Sequence, residues 1–506
     1  MSKGLLLLAP LAALPLLAGC QAADTDTSAT VGSGAELVMT LPISTESDEA
    51  RAHLEAGLAA ADMARGNDAN DHFEKAVEAD PEFAQGYLRV ANTAASTEEF
   101  TTNLKRAVEL MDTAEPAERL LIEIAQKGFE NDVEGQLQKA NELVELTPES
   151  PRAWLTLAGI QGGLNDADGA RKSYAKTIEI APKFAAAYMQ AGNNYLFIEP
   201  KDFSKAEEHF QTAADLAPGE PNPYDLLGDV HRAQGDLEAA YDDYTRAAER
   251  APDLGSPIQQ RGHVNSFLHR FDEARADYTR SMELETARGN NTAPFFAPFR
   301  AYVSLHEGNP DAAIAELRVL VDGADESGYE GITDIKINGL TNIARIAMHS
   351  GAFDIARSAL DERATLMRQQ AEETGTEEFA RAQERGIIYL DAMLAARQGD
   401  AETAKAKADE FGVLAEMDPN PRGLEPMHQI LGITEHFQGN YEAAIEHLVQ
   451  GAPGNIYMKY YRAIALQEAG MTEEASGLMD EIAVWNFNGV GFALIRNDVM
   501  ERVGQS

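Results

Sequence analysis

Three consecutive stretches between positions 151 and 252 repeat one pattern, and this periodicity limits the fold more than any single residue does. Trp154-x2-Leu157-Ala158, Tyr188-x2-Ala191-Gly192 and Tyr224-x2-Leu227-Gly228 open the three units. Ala170-x3-Tyr174, Ala206-x3-Phe210 and Ala240-x3-Tyr244 fall in their second halves, and Pro182, Pro218 and Pro252 close them. Apolar residues at helical spacing in a unit of about 34 residues make a helix-turn-helix hairpin, which cannot bury its apolar face alone. The units must stack on one another, so the expected fold is all-α, a solenoid of paired helices.

Proline gives a ruler for the first half, at Pro81, Pro116, Pro148, Pro182, Pro218 and Pro252. Proline lacks a backbone donor and clashes with the preceding turn, so each one is read as closing a second helix. In the second half a glycine five residues before a small residue takes over, as Gly308 with Ala313, Gly351 with Ala356, Gly399 with Ala404, Gly439 with Ala444 and Gly470 with Ala475, a mark already present at Gly235 with Ala240. Glycine there supplies the backbone conformation of a tight interhelical turn, and alanine lets the two helices approach closely. The marks predict about twelve units, regular over 50–290 and with longer connections over 291–483, near 286–293, 322–336, 366–380 and 416–427. Residues 484–506 carry no repeat mark and are expected to cap the last apolar helix face, since solenoid ends must be covered.

These marks resemble the tetratricopeptide repeat. Units 151–184 and 221–254 match it well, and 50–83 matches in Gly57, Ala69, Phe73, Ala76 and Pro81, while 84–150 departs from it, with Gln136 where a small residue belongs. The wider order of features is similar to a group of bacterial tetratricopeptide proteins: Ser47-x-Glu49-Ala50, Phe73-Glu74-Lys75-Ala76, Glu118-Arg119-Leu120-Leu121-Ile122-Glu123, Trp485-Asn486-Phe487-Asn488 and Phe492-Ala493-Leu494-Ile495-Arg496. The resemblance implies a right-handed superhelix whose first helices line a concave groove that holds a partner protein or peptide. On that register the groove residues are Met189, Asn193 and Phe197, then Asn222, Asp225, Asp229 and Arg232, then Gln259 and His263. The lysine of a carboxylate clamp is missing, because Met189 stands in its place.

The amino terminus reads as an address. Lys3 precedes Leu5-Leu6-Leu7-Leu8, and the apolar run ends at Leu17-Ala18-Gly19-Cys20, too short and too broken by proline to span a bilayer. Residues 1–19 are expected to be a signal peptide, and the last four residues of the run resemble a bacterial lipobox, which makes Cys20 the lipidation site. Cys20 is the single cysteine, so disulfide and zinc-thiolate chemistry within one chain is excluded. Residues 20–49 are rich in Asp, Thr, Ser, Gly and Ala and are expected to form a flexible tether reaching roughly 30 Å. The expected location is the cell envelope, on the outer membrane facing the periplasm.

Composition narrows the partner. With 42 Lys and Arg against 83 Asp and Glu, the formal charge is −41, and no basic stripe exists for a nucleic-acid backbone. The acidity keeps a large helical array soluble and suits a partner with cationic segments. The eleven histidines form no His-Glu-x-x-His set; His428 and His436 are eight apart. Asp166-Ala167-Asp168-Gly169 looks like part of a calcium loop, but Leu164 and Ala175 occupy ligand positions, so it reads as an intra-repeat turn. There is no phosphate loop and no Gly-x-Ser-x-Gly elbow, so no enzyme, metal or cofactor is expected. The expected role is a lipid-anchored scaffold; the alternative is a surface glycan-binding lipoprotein, which would want aromatic platforms from a chain with two tryptophans.

Overall fold

The computed structural model describes residues 41–94, 96–289, 293–418, 420–451 and 454–504. The signal peptide, Cys20 and residues 20–40 of the expected tether lie outside the described residues. Among those described there are 25 α-helices, and the first 24 of them pair as twelve antiparallel hairpins between Asp48 and Ala483. The all-α solenoid and its number of units are those the periodicity predicts. Units 1 to 12 are numbered here in chain order. Among the described residues no helix is long and apolar enough to cross a membrane.

Each hairpin is punctuated by the same devices. Asp132, Asp166, Asp202, Asp236 and Asp400 cap second helices, each accepting a backbone N–H three residues on. Asp166 therefore serves as a cap, bonded to the Gly169 N–H at 3.0 Å. The six turn glycines, Gly235, Gly308, Gly351, Gly399, Gly439 and Gly470, all have left-handed backbone, with φ between 79° and 84° for five of them and 78° for Gly308. In units 1, 3, 4 and 7 Ala64, Asn131, Asn165 and His269 hold the same conformation without being glycine, at φ 58° to 60°.

Within a hairpin the helices meet at a small residue. A Cβ on Gly57, Gly192 or Gly228 would lie 2.4, 2.4 or 2.6 Å from the ring of Phe73, Phe210 or Tyr244. These three rings are all but fully buried, so the neighbours cannot yield. Gly228→Ala is expected to cost about 1–3 kcal/mol through overpacking. Gly159→Ala is the control: nothing lies within 4 Å of its Cβ position, and in urea titrations it should leave the midpoint unchanged or raise it.

Units distant along the chain touch, and three of these contacts fall seven units apart. The Thr97 N–H of unit 2 donates to Asp334 of unit 9 at 3.1 Å. Phe129 of unit 3 stacks on Phe379 of unit 10 with centroids 6.3 Å apart. The Gly163 carbonyl of unit 4 accepts from Arg422, just ahead of unit 11, at 3.3 Å.

Four expectations need correction. The second half has lengthened helices in place of a long connection at 366–380: Phe353–Thr374 and Glu377–Arg397 leave two residues between them. No glycine or proline interrupts 353–374, so the helix simply continues. Pro116 opens a helix at its first turn, where its missing donor costs nothing, and closes none. Residues 41–47, assigned by composition to the tether, are packed in place: Leu41 is buried, the Ser44 N–H donates to Glu118 at 3.0 Å and Thr45 donates to Asp80 at 2.5 Å. Glu118 is itself fully buried, so it needs those donors. Finally, the carboxyl-terminal segment does more than cover unit 12. Its helix, Val490–Arg502, packs on both helices of unit 12 and also on the first helices of units 8 and 9. The residues just before it enter the groove.

Candidate functional site

The first helices Ala185–Phe197, Asn222–Gln234 and Ser256–Phe267 carry all nine groove residues of the sequence register. The structure places them on three successive first helices, but eight of the nine are buried and Phe197 is half-buried, so they do not line an open groove. Part of the reason is the chain itself. Residues 484–489 form a non-helical strap laid across these helices.

The strap is held side chain by side chain. Trp485 stacks under the Lys201 ammonium at 4.3 Å. Phe487 sits edge-on to Phe197 at 5.2 Å and beneath the Arg232 guanidinium at 4.6 Å. Asn486 donates to the Arg232 carbonyl at 3.2 Å. The Asn488 amide donates to Tyr278 Oη at 3.1 Å, approaches His263 Nδ1 at 3.2 Å, and accepts from His306 Nε2 at 3.2 Å. Beyond the strap, Arg496 donates to the Phe267 carbonyl at 3.0 Å.

Arg232 is the centre of this arrangement. It donates to Asp229 at 2.6 Å and to Gln260 at 2.9 Å, while Asp229 also accepts the Tyr244 hydroxyl at 2.6 Å. Burial raises the Asp229 carboxyl above its ordinary range, and Arg232 pulls the other way. Asp225 is raised well above the carboxylate range, first by burial and then by the neighbouring Asp229. His263, buried beside Arg232, and His306 are held neutral: burial pushes His306 down to about 3 and His263 well below the usual imidazole value. Asn222 reaches Met189 Sδ at 3.3 Å, and Gln259 lies 3.4 Å from His263 Nε2.

Sequence reasoning missed two histidine pairs. His53 and His72 of unit 1, and His428 and His447 of unit 11, face each other with Nδ1 atoms 3.1 and 3.0 Å apart. The signal was their common spacing of 19 residues, which joins the two helices of one hairpin. Among the described residues no group of three or more His, Cys, Asp or Glu is placed to hold a metal ion. Trp154, one of the two tryptophans, spends its indole N–H on the Pro148 carbonyl at 2.8 Å.

The tetratricopeptide repeat family model matches residues 222–254, the hairpin that carries Asp225, Asp229 and Arg232. That hairpin matches the tetratricopeptide repeat, and the superhelix built from the twelve hairpins is tetratricopeptide-like. Among solved structures, yeast Tom70 is 14% identical over 85% of this chain and 96% of its own, with a TM-score of 0.42. A thermophilic tetratricopeptide protein of Thermus thermophilus is 19% identical over 40% of this chain and 92% of its own, with a TM-score of 0.26. YrrB, described as a tetratricopeptide protein with an unusual peptide-binding site, is 21% identical over 36% of this chain and 91% of its own, with a TM-score of 0.25. No curated protein matches the sequence.

Proposed function

We propose that this tetratricopeptide-like solenoid is a lipid-anchored scaffold of the bacterial envelope, whose concave face holds an extended segment of a partner protein. One observation carries the binding half of this reading: the strap. A non-helical segment lies across three successive first helices, its aromatic rings against Lys201, Phe197 and Arg232 and its amides on Arg232, His306 and Tyr278. The side chains that accommodate an extended chain are thus already in place, and extended peptides are read by such alternation of anchors and amide contacts. The anchoring half rests on Leu17-Ala18-Gly19-Cys20 at the end of the apolar leader. A lipid of two or more acyl chains gives stable attachment.

Two measurements test the halves separately. Cys20→Ala is expected to abolish metabolic labelling with a radiolabelled fatty acid and to move the protein from the membrane to the soluble fraction. Unchanged labelling would exclude the anchor. Photocrosslinking from a residue analogue at Phe197 should capture a discrete partner in membranes, whereas the same probe on the exposed Val319 should not. Equal recovery from both positions would exclude the groove as the binding surface.

A further inference from the structure

Nothing in the scaffold reading uses the two histidine pairs. In unit 1 His53 stands on the helix Asp48–Asp62 and His72 on Gly66–Ala79; in unit 11 His428 stands on Glu425–Phe437 and His447 on Tyr441–Gln450. Each pair links the two helices of one hairpin through Nδ1 atoms 3.1 and 3.0 Å apart. The arrangement is the same both times, with ring centroids 5.4 and 5.3 Å apart and ring planes inclined by 36° and 33°. All four residues are partly exposed, so a hydrated ion can reach them.

Composition argues against coincidence. Only eleven of the 506 residues are histidine, and four of them make these pairs. His53 and His428 lie four residues before the small residues Gly57 and Gly432, the place that Trp154, Tyr188 and Tyr224 hold before Ala158, Gly192 and Gly228. Two units thus give up a large aromatic group for an imidazole that faces another imidazole. As a structural contact the exchange gains little, because one neutral hydrogen bond is worth about 1 kcal/mol and an aromatic ring in the same place buries more apolar area.

What the pair offers instead is two nitrogen donors side by side. Imidazole nitrogens bind a transition-metal ion at about 2.0–2.1 Å, so two that share one ion are at most about 4.2 Å apart, and both pairs fall within that reach. An ion at this distance from both nitrogens would see them at about 95°, close to the right angle between neighbouring positions of a tetragonal site. Between two neutral rings one Nδ1 carries the hydrogen and the other accepts it; moving that hydrogen to Nε2 frees both lone pairs.

We propose that His53 with His72, and His428 with His447, are two equivalent two-nitrogen sites for a divalent transition-metal ion of the copper(II) class, with water completing the coordination. Each ion ties the first helix of its hairpin to the second, so binding stabilises the folded chain.

Isothermal titration of the untagged full chain with copper(II) chloride is expected to fill both sites, and magnesium chloride, whose ion takes oxygen ligands, neither. His53→Gln and His428→Gln each keep a hydrogen-bonding side chain but remove one nitrogen ligand; each should weaken one site at least about tenfold, and the double variant both. His72→Gln and His447→Gln repeat the test from the opposite helix should either of the first variants fail to fold. Pulsed electron paramagnetic resonance of the copper-loaded chain should show coupling to imidazole nitrogen that the double variant loses, and copper should raise the melting temperature of the parent chain alone. Unchanged copper affinity in the double variant would overturn the proposal, as would imidazole coupling that persists in it. Equal binding of magnesium would assign the ions to the acidic surface and overturn it as well.

Discussion

Replacing Asn488 with alanine is expected to destabilise the protein by about 2–4 kcal/mol, a large effect for a residue outside every repeat. The Asn488 amide meets three groups from two different units, Tyr278 Oη, His263 Nδ1 and His306 Nε2, and is itself 8% exposed. Because Asn488 Oδ1 can only accept, His306 carries its proton on Nε2, and its Nδ1 has no partner at all. Truncation therefore strands a buried N–H on a ring that has no alternative acceptor. Val484→Ala, at the 45% exposed first position of the strap, is the control and should change little. The urea midpoints of the two variants decide the matter: if they coincide, the strap does not stabilise units 7 and 8. Hydrogen exchange should further show that Asn488→Ala loosens the strap amides before those of the Asn222–Gln234 helix.

Acid is expected to undo the same contact. Burial lowers His306 to about 3, and His349 and His436 to about 4, with Arg496 acting further on His306 and Arg397 on the other two. His263 is lowered well below its ordinary value by burial, with Arg232 and His306 acting in the same direction. Each of these rings is held neutral in the folded chain, while the unfolded chain protonates near 6.5. Their contribution to stability is thus fully present above pH 6.5 and is lost as the pH falls toward the folded values. Each ring contributes a slope of about 1.4 kcal/mol per pH unit inside that window. The buried carboxyls Asp225, Asp229 and Glu118 are raised and act in the opposite sense, stabilising below the ordinary carboxylate range and losing this as the pH climbs through their folded values. Melting temperature should therefore fall steeply from pH 6.5 to pH 4. His306→Gln should flatten that fall by about one proton; an unchanged slope would mean that His306 already titrates normally in the folded protein.

Much of the architecture could be read in advance because it is written locally. Gly235, Gly308, Gly351, Gly399, Gly439 and Gly470 announce their turns through the one conformation that glycine adopts freely, and all six have it. Ala206 with Phe210 and Ala240 with Tyr244 announce the close side of each hairpin, where Gly192 and Gly228 receive the rings. What could not be read was contact between units distant along the chain. Nothing near Asn488 in sequence signals His263 or Tyr278, more than 200 residues away. The nine residues lie on three first helices, but Phe197, Arg232 and His263 are covered by a segment whose own composition looked like a simple cap. The pairing of Ser44 with Glu118 was hidden for the same reason, because a buried carboxylate recruits a donor wherever the fold brings one.

The three contacts made seven units apart make chain length a geometric specification. Removing one hairpin from the middle would turn everything downstream by one unit's rotation instead of merely shortening the stack. Thr97 would then miss Asp334, Phe129 would miss Phe379, and the strap would arrive at the wrong first helices. Relatives that gain or lose a single hairpin between units 5 and 12 should accordingly lose the Asn488 clasp as well.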